Sequence, residues 1–407
     1  MLQNLRLHRQ RRPRGNLTML KLGDSLHVSV IIPFQKYNPY VVETLSHLSK
    51  VKLELPKVAA NTPARIGDNI GDNDAVATPA FSPLIRLTVV LLPDEPLAAA
   101  ELAEVRTYPL TTEVIATGKV SPAIKRDQGA EKIESDIIAF IDDDAYPAPD
   151  WLTEAVMHFK DPQVVAVGGP QITPPADSFW QKVSGASFLS PLNGASMKCR
   201  YWPVEEANRD VDDWPSVNLL VERQAFLEVG GFDSSYWPGE DTKLCLDLTT
   251  KLKKKIIYEP RSKVFHHRRA GLKRHLKQIG NYGLHRGFFA KTLPDTSRRP
   301  IYFVPSLFVV FLAKLILFFA FESFWIQLAQ SLGVSRIVDI ARVLFVSGLA
   351  AYLAALTYSA LSIGKLISNL AIGVATTPYL FFTHLWYGLR FLKGFFLVKT
   401  LQSKLGR

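Results

Sequence analysis

The sequence predicts an α/β domain on a mostly parallel sheet, followed by membrane-spanning helices at the C-terminal end. Three observations predict it. Fully apolar, β-branched runs alternate with helical patterns over residues 25–260, as buried parallel strands and their crossovers do. Two of these runs end in acids, Asp94 and the triplet Asp142, Asp143 and Asp144, and ligands bind at the carboxyl ends of such strands. Residues 301–321, 340–363 and 366–389 are long apolar segments of about the ~20 residues a bilayer requires.

The elements follow in order. Residues 1–24 are rich in Arg and lack an apolar stretch, which predicts a disordered basic arm and no secretory signal. The run from His27 to Pro33 is the first strand. Val41, Val42, Leu45 and Leu48 are spaced for a helix over 39–50. Residues 55–85, rich in Asn, Asp, Gly, Ala and Pro, form a surface insertion. Leu87 to Leu92 is the second strand, residues 128–135 a helix, and Val164 to Val167 a further strand closed by Gly168 and Gly169. Glu240 and Asp241 open a helix carrying Leu244, Leu246 and Leu248. Residues 271–289 carry Leu272, Leu276, Ile279 and Leu284 among basic side chains, the pattern of a helix lying at a bilayer interface. Two or three spans then occupy 301–390, the third segment being broken by Asn369, Pro378 and His384, and residues 391–407 are a basic tail.

The formal net charge is +11, and it is unevenly placed. From Arg261 to Arg299 eleven Lys and Arg face a single acid, Asp295, directly before the first apolar segment. A basic block beside an apolar span marks a membrane surface and a cytoplasmic flank. With no zinc-finger or RNA-recognition spacing, nucleic acid is not expected as a partner. Cys199 and Cys245 are the only cysteines and lack metal-ligand spacing, which fits a reducing compartment.

The most informative stretch is residues 137–152. An apolar run ends in three carboxylates, followed by Pro147, Pro149, Asp150, Trp151 and Leu152. Side chains alternate along a strand, so Asp142 and Asp144 leave it on one side. Two hard oxygen ligands there suit Mg²⁺ or Mn²⁺ carrying a diphosphate.

From about residue 28 to about residue 286 the chain resembles the family 2 glycosyltransferases, which have a GT-A fold. The match rests on segments in order: Val30-Ile31-Ile32-Pro33, Asp94, Lys125-Arg126-Asp127-Gln128-Gly129-Ala130, the Asp142 to Asp144 triplet, Asn218-Leu219-Leu220, Gly230-Gly231-Phe232, and Trp237-Pro238-Gly239-Glu240-Asp241. The resemblance implies a nucleotide-sugar site at Pro33, Asp94, Lys125, Arg126, Asp142 and Asp143, with Lys125 and Arg126 equal candidates for the basic residue. It implies a metal site at Asp142 and Asp144, completed by His267 or its neighbour His266. Asp241, with Glu240, matches the catalytic base. Trp237 and Arg286 are the acceptor-side candidates. Processive members carry Gln-x-x-Arg-Trp after the base; here Gln278 is followed by Ile279, Gly280, Asn281 and Tyr282, which argues against a polysaccharide-extruding synthase.

These expectations combine into a membrane-anchored, metal-dependent inverting glycosyltransferase of non-processive type. A divalent cation neutralises the departing diphosphate, and a carboxylate takes the proton of the acceptor hydroxyl. The donor is a nucleoside-diphosphate sugar. The acceptor is a lipid-linked saccharide or a polyprenyl phosphate, and the latter needs little base but wants cations near the membrane. The catalytic domain is expected to face the cytoplasm of a multi-pass membrane protein. A nucleotidyltransferase lacks support, because no Gly-rich loop follows the first strand. The remaining alternative is a catalytically silent membrane scaffold that binds a sugar nucleotide or an assembly partner.

Overall fold

The computed structural model describes residues 25–55, 84–193, 195–204, 208–236 and 239–401. The expected arm at 1–24, nearly all of the 55–85 insertion, Trp237 and the last residues of the tail lie outside them.

Strand β1 (Ser25–Pro33) is followed by helix α1 (Pro39–Leu48). Asn38 starts α1 by accepting from the Tyr40 and Val41 N–H groups, with Pro39 in the first turn, a favourable N-terminal pairing. Next come β2 (Leu84–Leu92), α2 (Ala99–Val105), β3 (Thr111–Val114) and α3 (Pro122–Lys132). The α3 helix begins earlier than its apolar spacing predicts, because Ser121 caps it through the Ile124 N–H and Pro122 pre-sets its first turn. The chain continues through β4 (Ile137–Phe140), β5 (Ala145–Pro147), α4 (Trp151–Val156), β6 (Val164–Gly168), β7 (Gln171–Ile172), α5 (Phe179–Ser187) and α6 (Ala195–Tyr201). It closes the α/β part with β8 (Arg209–Val211), β9 (Leu219–Glu222), α7 (Arg223–Val229), α8 (Glu240–Thr250), β10 (Lys255–Tyr258) and β11 (Val264–His266).

The main sheet has eight strands in the order β3-β2-β1-β4-β9-β6-β10-β8. The β3-β2-β1-β4 block and the β6–β10 pair are parallel, whereas β9 and β8 run antiparallel to their neighbours. This is the mixed, mostly parallel sheet expected. Alternating side chains feed two apolar layers: Val30 and Ile32 pack with Leu45, Val89 and Trp151 on one face, and Ile31 packs with Val90, Phe140 and Phe226 on the other, following the period-2 pleat. A small second sheet, β5-β11-β7, sits beyond the end of β4. Its register sets His266 opposite Ala145.

The remaining helices are α9 (Leu272–Thr292), α10 (Pro294–Ser297), α11 (Pro300–Ala320), α12 (Glu322–Ser331), α13 (Arg336–Leu366) and α14 (Leu370–Phe396). Among the described residues, α11 and α13 are the two helices long and apolar enough to cross a membrane. Ser306 is the one buried residue of α11, so its apolar surface faces outward. The third apolar segment is helical too, but it begins at Leu370, where Asn369 caps it through the Ile372 N–H. It packs along α9, α11, α13 and α5.

Helix α9 differs from the expected interfacial helix. Its most buried face is built from Ile279, Gly280, Gly283, Gly287, Phe288 and Phe289, and it lies on α14. At Gly287 a Cβ would come within 2.1 Å of the Phe391 carbonyl oxygen, and at Gly394 within 2.0 Å of the Leu284 carbonyl oxygen. Backbone meets backbone there, as small residues permit between membrane helices.

Candidate active site

The chain leaves the regular ladder of β4 at Phe140, so the acids sit in the connection to β5. A turn in which the Ala145 N–H donates to the Asp142 carbonyl at 3.1 Å brings Asp142 and Asp144 together and sends Asp143 elsewhere. Expected from strand alternation, this grouping arises instead from the turn. Asp143 accepts from the Asn38 amide at 3.2 Å. Burial, then Asp144 and Asp142, push its carboxyl up to about 7.

Asp142, Asp144 and His266 each present a ligand atom within 4.8 Å of the others. His266 Nε2 stands 3.1 Å from Asp144 Oδ1. Its Nδ1 lies 2.7 Å from Gln171 Oε1 and 3.2 Å from Arg268 Nη1, so the ring is held from its far side with Nε2 facing the acids. A fixed second-nitrogen bond of this kind orients a metal-ligating imidazole. Burial works to raise the Asp144 pKa, but His266, Arg269 and Arg268 hold it down at about 2, so the carboxylate is ionised and ready to ligate. Two carboxylates and an imidazole lone pair are a fitting donor set for Mn²⁺ or Mg²⁺.

His267, the histidine first placed at the metal, does not fit that role. Its Nδ1 is 2.5 Å from Asp177 Oδ1 and its Nε2 is 2.8 Å from Glu43 Oε2. Burial lowers its pKa, but the two carboxylates outweigh burial and raise it. Both ring nitrogens are spent as donors.

The basic pair on α3 divides its work. Lys125 Nζ is 2.6 Å from Asp94 Oδ1 and donates to the Phe34 and Leu92 carbonyls at 2.8 and 3.1 Å, tying the ends of β1 and β2 together. Burial lowers its pKa against the pull of Asp94. Arg126 reaches the other way, to Asp142 at 2.5 Å and to Glu240 at 3.4 Å. It links the triplet to the expected base. Pro33 lines the same space at the end of β1.

Glu240 and Asp241 stand at the first turn of α8. Glu240 Oε2 accepts from the Gly239 N–H at 2.8 Å and Asp241 Oδ1 from the Thr242 N–H at 2.7 Å. Burial, then Asp241, push the Glu240 carboxyl up to about 7, with Arg126 opposing. Burial and then Asp213 raise that of Asp241. Beneath them Asp213 accepts from Thr242 Oγ1 at 3.0 Å and pairs with Arg200 at 3.2 Å and with Arg286. Burial works to raise the Asp213 pKa, but the two guanidiniums hold it well below the carboxylate range. Arg286, expected at the acceptor, is thus engaged with Asp213, with Ser297 at 3.1 Å and with the Tyr302 ring at 5.0 Å.

One cavity of about 1530 Å³ joins these groups. Its walls include Asp142, Asp144, His266, Glu240 and Asp241, and it continues past Phe188 and Tyr201, stacked at 4.3 Å, to side chains of α11, α13 and α14. Sequence reasoning missed Asn38, Asp213 and Arg200. None carries a local pattern that marks it; each matters through partners far away in the chain.

Residues 137–391 match the model of glycosyl transferase family group 2. A pre-mycofactocin glycosyltransferase of Mycobacterium tuberculosis is 29% identical over 162 residues, covering 40% of this chain and 33% of its own. A glucosyl-dolichyl phosphate glucuronosyltransferase of Haloferax volcanii is 27% identical over 156 residues, covering 35% of this chain and 46% of its own. The chain thus spans between a third and a half of the length of these curated relatives. Among solved structures, a mannosyltransferase from Pyrobaculum calidifontis with GDP-Man and Mn²⁺ aligns at TM-score 0.47 and 16% identity, over 91% of this chain and 88% of its own.

Proposed function

The chain belongs to glycosyl transferase family group 2, and from that premise we propose a membrane-anchored, metal-dependent, inverting transfer of a sugar from a nucleoside diphosphate to a hydroxyl of a lipid-linked saccharide. The observation that carries this reading is the single cavity that joins the Asp142–Asp144–His266 cluster, the Glu240–Asp241 pair and helices α11, α13 and α14. Donor, base and membrane share one space.

Asp142, Asp144 and His266 would hold the cation, which supplies positive charge to the departing diphosphate. Asp241 accepts the proton of the attacking hydroxyl, and its raised pKa makes it a stronger base than an ordinary carboxylate. Arg126 holds Glu240 beside it. With a single base facing the donor site, direct displacement inverts the anomeric centre. A buried, pKa-raised carboxylate is wasted on a polyprenyl phosphate, which is already anionic, so the geometry favours a hydroxyl acceptor. The name of one relative, a glucosyl-dolichyl phosphate glucuronosyltransferase, supports a lipid-borne saccharide. The basic stretch before α11 supports a catalytic domain on the cytoplasmic side.

The test is transfer by the purified, detergent-solubilised chain, supplied with labelled UDP- and GDP-sugars and membrane lipid extract, with and without Mn²⁺ or Mg²⁺. Metal-dependent label in the lipid fraction, lost in Asp241→Asn, is the expected result. Donor binding without transfer by the wild type to any lipid fraction would favour the silent scaffold.

A further inference from the structure

The cavity has a second end. On α11 its wall is Ile301, Val304, Leu307 and Phe311, with Phe308 beside them, and Leu307 is 65% exposed, so this wall opens sideways to whatever surrounds α11. On the facing side are polar groups: Tyr352 of α13 and Thr383 and His384 of α14. Tyr352 Oη lies 3.0 Å from His384 Nδ1, and Thr383 Oγ1 lies 2.9 Å from His275 Nε2. An apolar wall opposite a polar one suits an amphiphile.

The level of this end is fixed by contacts. Phe308 stacks on Tyr352 at 4.2 Å, Tyr352 meets His384, and the neighbouring Thr383 meets His275. The start of α9 therefore stands at the level of Phe308. Arg274 and Lys277 flank His275 there, line the cavity and are exposed. Neither makes an ion pair among the described residues. Of the other block cations that line the cavity, Arg269 pairs with Asp144 and Arg286 with Asp213. At a helical rise of ~1.5 Å per residue, Arg274 is roughly 18 Å along α9 from Arg286, and so stands apart from the Asp213 floor beneath Asp241.

We infer that this end of the cavity is a subsite for a phosphate-bearing lipid of the bilayer, with Arg274 and Lys277 holding the phosphate and the α11 wall from Ile301 to Phe311 taking the first part of the chain. Paired, unpartnered cations attract an anionic head, and the apolar wall adds affinity for a chain that a free phosphate lacks. The inference deepens the transferase reading and rests on it, since the saccharide of such a lipid would extend toward Asp241.

The experiment measures binding of a polyprenyl phosphate to the full chain in detergent, without donor, against the same polyprenol lacking phosphate and against inorganic phosphate. Metal-dependent nucleotide binding is measured on the same samples. Two variants at exposed positions are compared, the double change Arg274→Glu with Lys277→Glu, and Leu307→Trp. The expected result is tight binding of the polyprenyl phosphate only, weakened about tenfold or more in each variant, with nucleotide affinity unchanged. Equal binding of polyprenyl phosphate by wild type and both variants, no binding by wild type, or equal binding of inorganic phosphate would overturn the subsite. A wild type that binds the lipid in this pattern but no nucleotide would overturn the transferase reading and leave the subsite standing.

Discussion

Arg286 of α9 donates to the carboxylate of Asp213, so a residue of the C-terminal helices supports the floor beneath Asp241. Both partners are largely buried. Removing one member of such a pair leaves an uncompensated charge.

Arg286→Met should therefore destabilise the chain by on the order of 3 kcal/mol, moderated by Arg200, which still faces Asp213. Thermal melting of the purified protein checks this. A melting temperature equal to wild type would show that Arg200 alone satisfies Asp213.

Metal binding should separate the two adjacent histidines. His266→Ala should weaken Mn²⁺-dependent nucleotide binding by roughly 10- to 100-fold, and Asp144→Asn should abolish it. His267→Ala should affect folding more than binding, since its ring ties Glu43 to Asp177. Titration of nucleotide with and without the metal distinguishes them. Loss of metal dependence in His267→Ala but not in His266→Ala would reverse the assignment.

Asp241→Asn should leave donor binding intact and slow transfer by about 10²- to 10⁴-fold. Single-turnover transfer set beside equilibrium donor binding reads both quantities. A wild-type rate in this variant would remove Asp241 from the role of base.

The raised carboxylates give a pH dependence of definite sign. Asp241 must be ionised to accept a proton, and its pKa lies above the ordinary carboxylate range, so transfer should climb with pH at values above those where an ordinary carboxylate titrates. Arg200 is one of the cations that oppose the Asp241 shift, so Arg200→Met should move this limb to higher pH. Stability runs the opposite way. Folded Glu240 keeps its proton up to about 7, where an ordinary glutamate would lose it near 4.5, so the fold binds more protons than the unfolded chain between these values. This contribution to stability is complete below 4.5 and is lost as pH rises through about 7. Melting curves at several pH values should show it, with a smaller decline in Glu240→Gln.

Gly287→Leu should fail to pack, because even a Cβ there would lie 2.1 Å from the Phe391 carbonyl oxygen. Overpacking of this kind costs about 1–3 kcal/mol or more. The yield of monodisperse protein after detergent extraction is the readout, with the exposed Leu307→Ala as a comparison.

Much of this was legible in the sequence because it is local. The apolar runs of β1, β2 and β6 announce buried strands, and their acidic ends announce a ligand edge. The Asp triplet and the Glu240–Asp241 helix start carry their chemistry in adjacent residues. The histidine choice was within reach as well: Val264 and His266 share one face of β11 by simple alternation, and both are buried. What escaped depends on distant partners. That Arg286 is spoken for, that Arg126 bridges two acidic sites, and that α9 buries a glycine face can be read only once Asp213, Glu240 and α14 are in place.

The glycine seam between α9 and α14 has a consequence for the acceptor. Where two backbones touch, neither helix can roll or slide without steric clash, and α9 carries Arg286, the brace of the Asp213 floor. On the proposed reading, with α11 and α13 in a bilayer, Asp241 would stand at a constant altitude above the lipid. Such an enzyme would measure from the membrane: the number of sugar units between a hydroxyl and the surface would decide which hydroxyl of a lipid-borne glycan is glycosylated.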